Sequence, residues 1–156
     1  MAGSEGSLNK VGKSEVVYSG LISADTVGVT YAVLGVRGLS TKRVCPIDCS
    51  SFGGVVTTSD SGLFMLCLNP TLSADLTWAN RSKYSVGSAT TQTLTNVGRV
   101  VDVLPINAGG ISRDIEESLL TWTSFAIDGT PDTLVLAYQP ATTRQSVSGT
   151  IALVEY

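Results

Sequence analysis

Histidine is absent from this 156-residue chain, and charged residues make up only 15% of it. Without histidine the chain lacks the commonest general base, the commonest metal ligand and the usual partner of a nucleophilic serine or cysteine. No other grouping in the sequence supplies a recognisable nucleophile and base. We therefore expect that the protein is not an enzyme.

Basic residues are also few. Ten Lys and Arg stand against thirteen Asp and Glu, the formal net charge is −3, and Lys42 and Arg43 are the only adjacent basic pair. Because clustered cations dominate nucleic-acid affinity, the sequence predicts RNA binding that is weak and salt-sensitive, if it occurs. No apolar run reaches the roughly 18 residues of a membrane span, and no signal-peptide core is visible, so no membrane partner is expected.

What remains is rich in Val, Thr, Ser and Gly, with 43% hydrophobic residues. This composition favours an all-β protein. Scarce charge is also typical of a surface covered by other copies of the chain, although a soluble sandwich with a Thr-rich face fits as well. The small, polar start predicts a flexible arm over residues 1–13, followed by a single β-sandwich domain over 14–156.

Strand-like runs separated by turn residues recur along the chain and number about eight. Eight antiparallel strands in two packed sheets is the jelly-roll count, and an immunoglobulin-like sandwich is the competing topology. The run from Gly62 to Leu68 is apolar on both faces, which predicts a central, covered strand. The other principal runs are 15–22, 27–36, 55–58, 97–106, 119–127, 132–139 and 146–156.

One or two short helical insertions are expected between these strands. Asn69 and Pro70 end the covered strand, and Thr71 is placed to cap a helix that carries Leu72, Leu76 and Ala79 on one face. Asp114 followed by Glu117 resembles a capping box and predicts a second helical turn. Residues 50–54 are expected to form a loop, and residues 85–95 either a polar edge strand or a loop.

Three cysteines, Cys45, Cys49 and Cys67, form an odd set in a chain without a visible signal peptide. That favours reduced thiols. The spacing of Cys45 and Cys49 would also suit a local disulfide or two metal ligands, but a structural zinc site usually needs four Cys or His ligands. We expect small buried hydrophobic residues.

The chain resembles the jelly-roll coat proteins of small icosahedral RNA viruses, of the plant-virus or satellite-virus kind. The resemblance lies in a buried strand that runs into Asn69 and Pro70, an expected short helix with Trp78, a following Tyr84, and the closing apolar run that ends in Val154, Glu155 and Tyr156. It implies a jelly-roll fold and self-assembly. Trp78, Arg81 and Tyr84 are the expected subunit contacts.

The chain departs from that family in two respects. Such coat proteins usually carry a basic N-terminal arm for RNA, whereas this chain has only Lys10 and Lys13 there. Many bind calcium between subunits through close acidic residues. Asp128 and Asp132 are the nearest analogue, and calcium needs several further oxygen ligands, so an ordinary turn is favoured at this position.

Two functions follow as hypotheses. The first is a structural coat protein, located in the virion and in the host cytoplasm during assembly, which forms an icosahedral shell from many copies and binds genomic RNA weakly if at all. The second is a β-sandwich binding module such as an adhesin, a capsid decoration protein or a carbohydrate-binding domain. In that module Trp78 or Trp122 would be the stacking platform, although Trp122 lies in an apolar run and is expected in the core.

Overall fold

A computed structural model describes residues 14–38, 44–56, 60–81, 84–106, 124–126, 132–143 and 145–155. These residues are all-β, as expected, and no helix occurs among them. The strands are β1 (Ser14–Ala24), β2 (Tyr31–Gly38), β3 (Val44–Val56), β4 (Gly62–Leu68), β5 (Thr71–Leu72), β6 (Thr77–Asn80), β7 (Tyr84–Ser88), β8 (Leu94–Asn96), β9 (Arg99–Ile106), β10 (Ser124–Ala126), β11 (Thr133–Pro140) and β12 (Gln145–Glu155).

The strands form antiparallel sheets. A four-stranded sheet has the order β1-β12-β3-β10, and a six-stranded sheet has the order β6-β7-β2-β11-β4-β9. A third, two-stranded sheet joins β5 to β8. Sequence neighbours such as β1 and β2, or β11 and β12, therefore lie in different sheets.

The two large sheets face each other across one apolar core, as in a sandwich. Phe52 and Ile151 of the four-stranded sheet are buried against Phe64 and Leu136 of the six-stranded sheet. Glycine allows close approach between the layers: a Cβ built at Gly149 would lie 2.7 Å from Leu136 Cδ2 and 2.8 Å from Val33 Cγ1. Burial of this core supplies most of the driving force for folding.

Strand β4 is covered on both faces, as its continuous apolar run predicts. It lies between β11 and β9 in the sheet. Phe64 and Leu66 belong to the central core, whereas Met65 and Cys67 belong to a second buried cluster on the opposite face, with Leu94 packed against it. The segment between β4 and β9 therefore covers the outer face of the six-stranded sheet.

The helix expected after Thr71 is wrong. Residues 71–72 form β5, and Thr77–Asn80 forms β6, which pairs with β7. Leu76 and Trp78 are two residues apart and both lie over Gly35 and Gly87, which are directly paired. The two paired glycines leave room on the sheet surface for Leu76 and Trp78, whose spacing of two residues is that of a strand. This tertiary contact outweighs the local helical pattern.

The loop expected at residues 50–54 is also wrong, because β3 continues through it to Val56. Gly54 lies where the sheets approach most closely: a Cβ there would overlap the ring of Phe64 and lie 2.6 Å from the carbonyl oxygen of Ser148. The glycines in this segment serve packing rather than a turn. Of residues 85–95, for which strand and loop were both open, 85–88 belong to β7 and 94–95 to β8, and residues 89–93 between them lie outside the strands.

Several expectations concern residues outside the described part of the chain. They are the flexible arm over residues 1–13, the helical turn at Asp114 and Glu117, and Trp122. Of the strand expected over 119–127, the described residues Ser124–Ala126 form β10.

A buried polar network ties β11 and β12 to the start of β4. The Tyr138 hydroxyl donates to Gln145 Oε1 at 2.5 Å, and the Gln145 amide nitrogen donates to the carbonyl oxygen of Ser61 at 2.8 Å and to Thr142 Oγ1 at 2.7 Å. Burial, followed by the nearby charge of Asp60, raises the pKa of Tyr138 from 10.0 to about 12. The folded state therefore favours the protonated, neutral phenol of Tyr138.

We expect alkaline pH to destabilise the protein through Tyr138. Between pH 10 and 12 the unfolded chain loses the phenolic proton while the folded chain retains it, so the free energy of unfolding falls as pH rises through this window. Urea unfolding at pH 9, 10 and 11 measures how steeply the free energy of unfolding falls with pH. The Tyr138→Phe variant should show a smaller fall. At neutral pH it should be less stable by about 1–3 kcal/mol, because the Gln145 side-chain oxygen loses its hydrogen-bond donor. An unchanged slope in the variant would assign the alkaline loss to other groups, among them Cys67.

Candidate functional site

Charged residues are scarce in three strands of the four-stranded sheet. No Asp, Glu, Lys or Arg occurs in residues 16–24, 49–56 or 145–154 of β1, β3 and β12. The charged residues of these strands are Glu15 near the start of β1, Asp48 in the first half of β3 and Glu155 at the end of β12. We call the outward-facing residues of these three strands the uncharged face; they are Val17, Ser19, Leu21, Ser23, Ser51, Gly53, Val55, Ser146, Ser148, Thr150, Ala152 and Val154.

Large apolar side chains stand open to solvent on the uncharged face. Leu21 is 70% exposed, Val17 is 59% exposed, and Val55 is 38% exposed. The register aligns Leu21 with Ser148 and Ser148 with Val55, so these side chains share one row. Depletion of charge together with exposed aliphatic groups is the composition of an interface centre rather than of a solvated face.

A second feature is the cluster around Trp78. The Arg37 guanidinium lies over the indole ring at 4.2 Å from its centroid, and the Trp78 Nε1–H donates to Asp75 Oδ1 at 2.8 Å. The ring also lies close to Gly35 and Gly87, with Cζ3 of the indole 2.8 Å from a Cβ built at Gly87. One face and the polar edge of this tryptophan are therefore occupied by the chain itself.

An open cavity of about 410 Å³ lies beside this cluster. Its wall includes Arg37, Asp75 and Trp78 together with Leu72 from the strand β5 and Thr133 from the start of β11. The volume would admit a small polar molecule. Because Arg37 already covers the indole, a sugar ring would have to displace it before stacking on Trp78.

The expected metal ligand Asp132 lies near this cavity, where Asn69 holds it. Asn69 takes a left-handed backbone conformation (φ 52°), which asparagine tolerates. Its side-chain amide donates to Asp132 Oδ1 at 3.0 Å, while its side-chain oxygen accepts from the Thr133 backbone N–H at 2.8 Å. Asp132 thus takes part in a hydrogen-bonded contact between the end of β4 and the start of β11. The other expected ligand, Asp128, lies outside the described residues.

Among the residues that the structure describes, no group of three or more His, Cys, Asp and Glu side chains is close enough to hold a metal ion. The side chains of Cys49 and Cys67 are buried, as expected for small core residues. Burial raises the pKa of Cys67 from 9.0 to about 11, so this thiol stays protonated near neutral pH. The side chain of Cys45 lies outside the described residues.

The expected subunit contacts separate into two environments. The expectation for Tyr84 needs correction, because its side chain is fully buried in the core. Its hydroxyl lies 2.7 Å from that of Tyr18, and Arg81 lies over the Tyr18 ring at 5.6 Å from its centroid. Arg81 is exposed and Trp78 is half-buried, so these two remain available at the surface.

Sequence reasoning missed the uncharged face as a site. The signal was present: three segments far apart in the chain, residues 16–24, 49–56 and 145–154, contain no charged residue. What the sequence does not provide is their adjacency, since β1, β12 and β3 become neighbours only through sheet pairing. The expected RNA ligands Lys10 and Lys13 lie outside the described residues, and in those that are described no helix is long and apolar enough to cross a bilayer.

Comparison with known proteins adds little. No protein-family model matches the chain, and no curated protein matches it. A solved structure similar to 93% of the chain holds the N-terminal CBM22-1 and GH10 modules of an endo-1,4-β-D-xylanase from Clostridium thermocellum, complexed with xylohexaose, at a TM-score of 0.36 and 9% identity. The match spans 26% of that chain. A likeness at this level carries no argument about fold or function.

Proposed function

We propose that this chain is a structural coat protein: an eight-stranded jelly roll whose copies assemble into a closed icosahedral shell around a genome. The proposal rests on two observations taken together: the order of the strands in the two large sheets, and the uncharged face of the four-stranded sheet. The role is mechanical, and its chemistry is the burial of the same surfaces between many copies, repeated by symmetry.

Strand connectivity supports the jelly-roll part of the proposal. Strands β5 to β8 all lie between β4 and β9 in the chain. Without them, eight strands remain in two sheets of four, with the orders β1-β12-β3-β10 and β2-β11-β4-β9. Successive strands alternate between the sheets except at β4 and β9. This order supports a double Greek-key jelly roll, an arrangement that occurs in viral capsids and also in lectins.

Fold alone does not choose between those two uses. The surface favours assembly, because Val17 and Leu21 are exposed on the uncharged face. Covering these apolar side chains with another protein surface is energetically favourable. The Trp78 cluster argues against sugar binding at that residue, since Arg37 covers one face of the indole and Asp75 accepts its N–H. A binding module remains the second candidate, supported by the open cavity next to Trp78.

The proposal places the protein in the virion, and in the host cytoplasm during assembly. It assigns no cofactor to the described residues, and calcium between subunits would need ligands beyond Asp132. With a formal net charge of −3 on the chain, packaged RNA would be held by few cations and released by moderate salt.

The mass of the purified chain tests this function. Multi-angle light scattering should find assemblies of many copies at low ionic strength, and negative-stain electron microscopy should show uniform round particles. Absorbance at 260 and 280 nm across a salt series would report any RNA and its release. A monomer or trimer that persists at high concentration across pH and salt would contradict the coat function and leave the binding module.

A further inference from the structure

Strand β1 is a long and regular sheet edge. It pairs with β12 through eleven consecutive positions, Ser14 to Ala24, without a register shift. On its other side no strand pairs with it among the described residues. The backbone N–H and C=O groups along that side therefore form an open template for another strand.

Apart from Glu15 near its start, this edge lacks the features that natural sheets use to prevent edge-to-edge pairing, which are charge, proline, bulges and short length. Residues 16–24 contain no charged residue and no proline. The edges of the six-stranded sheet differ. Strand β9 carries Pro105, Asp102 and a register shift, and β6 is only four residues long.

We propose that two copies of the chain join antiparallel along β1, about a twofold axis at Ser19. This rests on the proposed self-assembly and names the surface that one of its contacts uses. The pairing would extend each four-stranded sheet across the axis, and it would bring the uncharged faces of the two copies into one continuous surface. Strand addition at a free edge is a common mode of protein recognition.

The pattern of side chains selects the register. A twofold axis perpendicular to the sheet keeps both outer faces on one side, so outward residues oppose outward residues. With Ser19 on the axis, Val17 of each copy faces Leu21 of the other. Two aliphatic cross-strand pairs form, each contributing about 0.2–1 kcal/mol relative to alanine. Glu15 faces Ser23, so no like charges oppose.

The neighbouring registers are less favourable. An axis at Gly20 would place Glu15 opposite Asp25, two like charges, and Leu21 opposite Ser19. An axis at Tyr18 would place Glu15 opposite Leu21. Of these three registers, only the one centred on Ser19 pairs the two most exposed aliphatic side chains of the strand with each other.

Cysteine cross-linking tests the register. Residues opposite each other across antiparallel strands have Cα atoms about 4.5–5.5 Å apart, within the range of a disulfide. Ser19→Cys should therefore form a covalent dimer on mild oxidation, seen on a non-reducing gel. Ser23→Cys is the matched control: it is exposed on the same face of the same strand, but its counterpart would lie about 26 Å away. The unsubstituted protein, oxidised in parallel, reports any dimer from the native cysteines.

Leu21→Lys provides a second measurement that does not depend on oxidation. By symmetry it changes both Val17–Leu21 pairs, so the dissociation constant of the dimer should rise by about tenfold or more. Val103→Lys on β9, where Val103 is 40% exposed, is the control and should leave that constant unchanged. Sedimentation equilibrium measures both. Equal cross-linking of the two cysteine variants, or equal weakening by the two lysines, would overturn the proposal.

The same experiments separate this contact from the coat function. If round particles form but Ser19→Cys does not cross-link, the shell assembles through other surfaces and the β1 contact is wrong. If Ser19→Cys cross-links selectively but particles never form, the β1 dimer stands and the coat function fails.

Discussion

Replacing Phe64 with alanine is expected to lower the free energy of unfolding by about 3–5 kcal/mol. The ring is fully buried at the centre of the core, 4.7 Å from the ring centroid of Tyr138. It also fills the space over Gly54 and reaches within 3.6 Å of a Cβ built at Gly149. Because the glycines offer no side chain to move into the gap, the cavity would stay open, and the cost should lie towards the upper end of that range.

Leu63→Ala is the matched control, because Leu63 is the adjacent residue of β4 and lies half-buried against the outer cluster. Its loss should be clearly smaller. Urea unfolding followed by far-ultraviolet circular dichroism measures the stability of both variants. The conditions are chosen so that the variants and the unsubstituted protein have the same oligomeric state. Equal losses at the two positions would mean that the core is not centred where the two sheets meet.

Replacing Gly20 with alanine is expected to destabilise the protein by about 1–3 kcal/mol. A Cβ at this position would collide with the backbone carbonyl oxygen of Val33 and lie 3.2 Å from Leu34 Cβ. These atoms belong to β2 in the opposite sheet, so relief requires the two sheets to separate. The collision should exceed the roughly 0.4–1 kcal/mol that a glycine-to-alanine change gains by restricting the unfolded chain.

Ser23→Ala on the same strand, at an exposed position, should change stability by no more than about 0.5 kcal/mol. Thermal unfolding of the three proteins at one concentration gives the comparison. If Gly20→Ala unfolds at or above the temperature of the unsubstituted protein, the sheets are not in close contact at β1, and the alignment of the β1 edge proposed above loses its support.

Local patterns predicted the elements that depend on local chemistry. The apolar run from Gly62 to Leu68 is a covered strand, and it ends at Asn69 because that residue turns into the left-handed region before a proline. The closing runs are strands β11 and β12, as expected, and Ile151 and Leu153 of β12 are buried in the core. In each case the side chains within the segment are sufficient to favour the observed conformation.

Two misinterpretations share one physical cause. Residues 71–79 match a helical pattern, but residues 71–72 and 77–80 form strands; residues 50–54 match a loop, but β3 continues through them. Trp78 and Leu76 lie over Gly35 and Gly87, and Gly54 makes room for Phe64. Each of these contacts joins residues on different strands, so the local pattern of side chains within one segment does not show it.

The two closing strands also show a difference between what the local sequence predicts and what strand pairing decides. Their sequences predict two strands joined by a short connection, which favours a hairpin. In the structure β11 pairs with β2 and β4, whereas β12 pairs with β1 and β3, so the connection crosses between sheets. Pairing energies depend on which strands meet, and the short connection between them does not specify that choice.

The amino-acid sequence by itself determined that the chain is all-β, that β4 is buried on both faces, and that residues 16–24, 49–56 and 145–154 carry no charge. These properties follow from composition and from the alternation of side chains along a strand. Only the tertiary structure decided that the three uncharged segments lie side by side, that Tyr84 is inside and Leu21 outside, and that β1 is an open edge. Adjacency, burial and edges belong to contacts between distant segments, and they exist only once the sheets have formed.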